Sequence, residues 1–141
     1  MAETLTVFGP EWIESYKQQV RGSPSYKKAA AACEGDMTLV VQADGAAFPQ
    51  DCYIYMDLWH GEARDIRLVD AEEGARAKFV ITGGYPRWKQ VVKGELEPIK
   101  GMMQGKLKLR GNLAYVVRFV GAAKELVSCT TKVPTRFPDE A

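Results

Sequence analysis

Apolar residues in this chain change their spacing twice, from a helical period to alternation and back to a helical period. Only helices packed on a sheet satisfy both periods, because each pattern leaves one face in need of cover. Gly9-Pro10 reads as a helix start, with Ile13, Tyr16 and Val20 forming one stripe and Gly22 a stop. Ser23-Pro24 restarts a helix through the alanine-rich residues 26–33, which Gly35 closes. Four strand-like runs follow at residues 37–43, 52–59, 63–69 and 76–82, the last with Ala77, Phe79 and Ile81 on one face. Turn signals separate them at Asp44-Gly45, Phe48-Pro49, His60-Gly61 and Glu73-Gly74, which predicts an antiparallel meander. Gly83-Gly84 reads as the break after the fourth strand.

The remainder is predicted to be helical again around one further strand. Tyr85-Pro86 opens a helix carrying Trp88, Val91 and Val92, and Pro98 opens another with Ile99, Met102 and Met103. Residues 106–110 read as a fifth strand with Leu107 and Leu109 on its buried face, and Asn112 is placed to cap a C-terminal helix. The expectation is one α/β (α+β) domain over residues 1–132, a five-stranded, largely antiparallel sheet. An extended, loosely held tail over residues 133–141 follows, with Pro134 and Pro138.

At 141 residues and 46% hydrophobic, the chain suits one domain with a real core. Lys and Arg number 19 against 18 Asp and Glu, a balance that argues against a dedicated nucleic-acid binder. No run approaches the roughly 18 apolar residues of a membrane span. Met1-Ala2-Glu3-Thr4 lacks the pattern of a secretory signal, and Asp139-Glu140-Ala141 is not the Ser-Lys-Leu address, so a cytoplasmic location is expected.

Chemistry-bearing residues are sparse. Cys33, Cys52 and Cys129 form no C-x-x-C pair, and His60 is the single histidine, so neither a disulfide framework nor a metal site is expected. Nucleotide-binding and nucleophile-elbow motifs are absent, and no cofactor is expected. Asp57 and His60 are the one conceivable acid–base pair, but three residues apart on a strand they face opposite ways, and they read first as polar residues flanking a turn.

Surplus apolar surface is more informative. In Leu-Ala-Tyr-Val-Val-Arg-Phe-Val, residues 113–120, a helix would pack Leu113, Val116, Val117 and Val120 on the sheet, leaving Tyr115 and Phe119 for another surface. The same valines also suit a buried strand. Met102-Met103 suits either an adaptable wall or ordinary core filling.

The stretch Gly94-Glu95-Leu96-Glu97-Pro98-Ile99-Lys100-Gly101-Met102-Met103-Gln104-Gly105-Lys106-Leu107-Lys108-Leu109-Arg110-Gly111-Asn112 resembles the hallmark of the sterol carrier protein type 2 family. Gly-Lys-Leu-Lys-x-x-Gly-Asn is its most specific part, and the resemblance extends over roughly residues 8–125. Phe8-Gly9-Pro10-Glu11-Trp12 and Val133-Pro134-Thr135-Arg136-Phe137 look like the stand-alone prokaryotic branch.

The resemblance implies helices on one side of the sheet and an apolar tunnel between, taking up fatty acids, acyl groups, sterols or other lipids without chemistry. Expected lining residues are Tyr55, Phe79, Ile81, Trp88, Met102, Met103, Leu107, Leu109, Val116, Phe119 and Val120. Lys106, Arg110 and Arg118 are candidates for meeting a polar head, with solvated surface charge as the plain alternative. The implied partner is a small hydrophobic ligand, with transient contact at a membrane surface and a monomer or homodimer. Two other readings stay open: a small enzyme on an apolar substrate using Asp57 or His60, and an accessory module of a larger lipid-metabolising assembly.

Overall fold

The computed structural model describes residues 4–140. Met1-Ala2-Glu3 and Ala141, read above for addresses, lie outside the described residues. In chain order the elements are β1 (Leu5–Thr6), α1 (Pro10–Arg21), α2 (Pro24–Ala29), β2 (Met37–Gln42), β3 (Cys52–Trp59), β4 (Glu62–Val69) and α3 (Ala71–Gly74). Then follow β5 (Phe79–Gly84), α4 (Tyr85–Val92), α5 (Pro98–Met103), β6 (Lys108–Arg110), α6 (Leu113–Val117), α7 (Val120–Thr130) and β7 (Thr135–Arg136). No helix is long and apolar enough to cross a membrane among the described residues.

Local chemistry accounts for the boundaries. α1 begins with Pro10 at its first turn and buries Trp12, Ile13, Tyr16 and Val20. Its last residue, Arg21, donates to the carbonyls of Ala63 (2.8 Å) and Arg64 (2.7 Å), locking the helix across β4. The Ser23 hydroxyl accepts from the Tyr26 N–H at 3.1 Å, and the Asn112 side chain accepts from the Tyr115 N–H at 3.1 Å, each satisfying an orphan donor of a first turn.

The five-stranded sheet has the order β4-β3-β2-β5-β6. β2, β3 and β4 form the expected antiparallel meander, but the fourth strand departs from it. β5 does not add beside β4; it returns to pair with β2 in parallel. One-turn α3 makes this return possible by lying on the outer face of the sheet, where the buried Thr38 hydroxyl donates to the Gly74 carbonyl at 2.8 Å. Gly83 and Gly84, expected to break β5, lie inside it opposite Val41 and Gln42. At Gly83 a Cβ would sit 2.5 Å from Cδ2 of the buried Leu107, so a side chain there would displace Leu107.

The segment from Val133 is not loosely held. The Leu5 N–H donates to the Pro134 carbonyl (2.8 Å) and the Val7 N–H to the Arg136 carbonyl (3.0 Å), pairing β7 with β1. Val133 and Phe137 are buried. The Tyr85 hydroxyl donates to Asp139 at 2.7 Å, and Lys89 lies 2.8 Å from Asp139 and 2.7 Å from Glu140.

Candidate functional site

The inner face of the sheet carries alternate residues: Met37, Leu39 and Val41 on β2, Ile54, Met56 and Leu58 on β3, and Phe79 and Ile81 on β5. Helices α1, α4, α5, α6 and α7 roof this face without filling the space beneath. A cavity of about 100 Å³ lies there, floored by Met37, Leu39, Ile54, Met56 and Ile81. Its roof comprises Phe8, Trp12 and Tyr16, then Trp88, Val91 and Val92, then Pro98, Ile99 and Met102, and finally Val116, Ala123, Leu126, Val127 and Thr130. Met37 and Leu39 stay half-buried although they sit on the central strand, because they face this void.

A second cavity of about 70 Å³ adjoins it, with Tyr26, Leu58, Phe79, Tyr115 and Phe119 in its wall. Met37, Val116, Ala123 and Leu126 line both. Native interiors contain few voids larger than a water molecule, which needs only about 10–15 Å³. Two adjoining voids of this size are therefore a property of the fold and exceed ordinary packing slack.

Polar atoms in the roof of the larger cavity are already engaged. The Tyr16 hydroxyl donates to the Leu126 carbonyl (2.9 Å), Trp88 Nε1 to the Val40 carbonyl (2.9 Å), and Trp12 Nε1 to Thr135 Oγ1 (2.9 Å). Thr130 Oγ1 sits 2.6 Å from the Val127 carbonyl. Burial pushes the Tyr16 phenol well above its usual pKa, so it stays neutral. Among the described residues, no buried side-chain nitrogen or oxygen lacks a hydrogen-bond partner. The void presents mainly hydrocarbon, and no charged side chain lines it.

The second cavity has a polar margin. Tyr115 stacks on Phe79 with ring centroids 5.5 Å apart and meets Phe119 at 5.1 Å. Lys78 Nζ lies 5.2 Å from the Tyr115 ring centre and 5.5 Å from that of Phe79. Gly111 permits this approach: its φ is +140°, and a Cβ there would meet Phe79 Cδ1 at 2.7 Å.

Of the expected lining residues, Ile81, Trp88, Met102 and Val116 border the larger cavity, and Phe79, Val116 and Phe119 the smaller. The others sit elsewhere. Tyr55 has the wrong parity on β3 and lies on the outer face, its hydroxyl donating to Asp36 at 2.7 Å under the Arg67 guanidinium. Leu107 is buried against Gly83 and Gly101, behind the cavity wall. Leu109 pairs with Ile81 on the short edge strand β6 and packs on the core outside the void. Met103, 67% exposed, and Val120 point to solvent. The helix expected from Asn112 is interrupted after Val117, and that break rotates Leu113, Val117 and Val120 outward while Tyr115, Val116 and Phe119 turn in.

Arg110 donates to the carbonyls of Ala75 and Ala77, which commits it to the fold. Lys106 is exposed beside neither cavity wall, and Arg118 lies over the outer ring face of Phe119 at 5.9 Å. Asp57 accepts from Arg64 at 2.8 Å on the outer face. His60 sits in the β3–β4 turn with φ 49°, 2.7 Å from Glu34 and 2.9 Å from the Ala31 carbonyl. The two have separate partners and line neither cavity. Sequence reasoning missed Trp12, Met37, Leu39, Ile54, Met56, Leu126 and Val127. The i, i+4 pair Trp12 and Tyr16 and the even-numbered aliphatics of β3 were the available signals.

Known proteins share this fold. The SCP-2 sterol transfer family matches residues 13–124. A crystal structure of sterol carrier protein 2 is 36% identical, with 90% of this chain and 98% of that one covered and a TM-score of 0.81. The solution structure of a conserved hypothetical protein from Thermus thermophilus is 34% identical over 96% of this chain and 94% of that one, with a TM-score of 0.83. The solution structure of the Aedes aegypti sterol carrier protein-2 complex with palmitate shares the fold at 14% identity and a TM-score of 0.54, covering 86% of this chain and 98% of that one. A search of curated proteins finds no match.

Proposed function

Because this chain belongs to the SCP-2 sterol transfer family, we propose that it binds a lipid in the cavity under α1 and α4–α7 and carries it without chemical change. The observation that carries this reading is the hydrocarbon-lined void whose polar neighbours are all engaged. Palmitate in the Aedes protein supports an acyl chain as the class of guest.

Each methylene transferred from water into such a space contributes about 0.8 kcal/mol. A dozen supply roughly 10 kcal/mol before association and ordering costs take back several. Selectivity among guests is weak, since an apolar pocket separates ligands by only about 1–3 kcal/mol per methylene. An engineered cavity of about 150 Å³ admits benzene, so a void of about 100 Å³ holds only a short guest at rest. A long chain requires the two voids to join, with Val116, Ala123 and Leu126 giving way.

Native mass spectrometry of the purified protein, together with displacement of a fluorescent fatty acid by acids, acyl-CoAs and sterols, tests the proposal. Bound lipid and micromolar displacement are expected. Absence of both overturns it. A catalytic alternative would require Asp57→Asn or His60→Ala to abolish turnover of an apolar substrate, and neither residue touches the void.

A further inference from the structure

The two adjoining cavities differ in what stands at their margins. No charged side chain lines the larger one. The wall of the smaller one reaches solvent where Glu34 is exposed and Cys33, Gly35, Tyr115 and Phe119 are partly so. Lys78 belongs to this margin, because its ammonium lies over two rings of that wall, 5.2 Å from the centre of Tyr115 and 5.5 Å from that of Phe79.

The fold holds this lysine in place. Its N–H donates to Asp36 Oδ1 at 2.7 Å, and the next N–H, that of Phe79, to the Asp36 carbonyl at 3.2 Å. Its stem crosses Gly35, where φ is +116° and a Cβ would meet Lys78 Cδ at 2.8 Å. Among the described residues the ammonium has no carboxylate within 4.0 Å, whereas Lys17, Lys89 and Lys93 each meet one. The acids nearby are committed elsewhere. Asp36 Oδ2 accepts from the Tyr55 hydroxyl at 2.7 Å, and Glu34, the one acid in the cavity wall, turns its carboxylate to His60 Nε2 at 2.7 Å. Arg118, 5.9 Å from the centre of the Phe119 ring, adds a second cation without a carboxylate partner.

We propose, on the lipid-carrier reading above, that the guest is a single-chain anion bound in one direction: its carboxylate or phosphate meets Lys78 at the margin of the smaller cavity, and its tail runs past Met37, Val116, Ala123 and Leu126 into the larger one. Lysine fits this place because its stem lies on apolar surface while the ammonium stays in water, a compact charge that meets either anion. The reverse direction would set the anion among hydrocarbon and polar atoms already engaged, where an unpaired charge is strongly disfavoured. Burial of the tail supplies the bulk of the affinity, and the half-wet ion pair chooses the head and the direction.

Calorimetric titration with decanoate, decyl phosphate and decan-1-ol, at about pH 7.5 where the carboxylate is ionised, tests the head. The full chain is expected to bind at least one of the anions about fivefold tighter than the alcohol, with the preference shrinking at high salt. Lys78→Met keeps the bulk of the stem over Gly35 and should remove the preference while leaving decanol unchanged; Lys78→Arg should retain it. Lys106→Met, at an exposed residue that lines neither cavity, should behave as the parent does. Direction is read in a Trp59→Phe background, where emission comes from Trp12 and Trp88 in the wall of the larger cavity. There 9,10-dibromodecanoate should quench strongly and 4,5-dibromodecanoate weakly. Decanol bound as tightly as both anions, an equal loss of anions and alcohol in Lys78→Met, or stronger quenching by the 4,5-dibromo acid overturns the proposal. Binding of decanol without a preference for either anion defeats the head-group assignment alone, whereas failure of all three to bind defeats the carrier reading together with it.

Discussion

The Tyr115 hydroxyl accepts a hydrogen bond from the Glu34 N–H at 2.8 Å and donates one to the Glu34 carbonyl at 3.1 Å. One side chain thus satisfies both backbone groups of a residue 81 positions away and fastens α6 over the smaller cavity. Tyr115→Phe removes both bonds and keeps the ring on Phe79. Stability should fall by about 1 kcal/mol, as partly solvated hydrogen bonds are worth. Stopped-flow uptake of a fluorescent fatty acid should become faster, with a smaller change in equilibrium affinity, if α6 moves to admit the guest.

Ala123 lines both cavities, and nothing fills the space in front of it. Ala123→Leu should place hydrocarbon there without the usual cost of overpacking, about 1–3 kcal/mol. Urea midpoints should be unchanged or raised, while probe affinity drops more than about tenfold. A variant that folds less stably and binds as well as the parent would contradict the hollow interior.

The tail should respond to acid. Hydrogen bonding to Lys89 and to the Tyr85 hydroxyl holds the Asp139 carboxyl below the usual carboxylate range, and Lys89 and Lys93 do the same to Glu140. Both are depressed in the folded state, so their stabilisation is present above the normal carboxylate pKa and is lost as pH falls through the folded values. Hydrogen exchange at β7 should accelerate below about pH 4, and Asp139→Asn with Glu140→Gln should remove that acid limb.

Thiol chemistry offers a readout of occupancy. Burial pushes the Cys33 and Cys52 thiols up to about 11, so little thiolate exists at neutral pH. Iodoacetamide labelling, followed by mass spectrometry, should be far slower than for the unfolded chain. Cys33 lines the smaller cavity, so a bound acyl chain should slow its labelling further and leave Cys52 unchanged.

Much of this protein is determined locally. The Asn112 and Ser23 caps, the proline starts and the alternation of β2–β5 follow from short-range sterics and backbone hydrogen bonding, which act within a few residues and are legible in order along the chain. The Gly-Lys-Leu-Lys-x-x-Gly-Asn stretch identified the family on the same terms, with Gly111 and Asn112 placed by a positive φ and a helix cap.

Tertiary structure decided the rest. Only the pairing of β5 with β2 sets the strand order, and only the packing of α1 on β4 shows that the even residues of β3 face inward and leave Tyr55 outside. The break at Arg118–Phe119 exchanges which of residues 113–120 are wet. The hollow itself belongs to no single element. It is the volume left when side chains from three central strands, five helices and the segment before α1 meet without closing, a sum over distant contacts that local spacing does not encode.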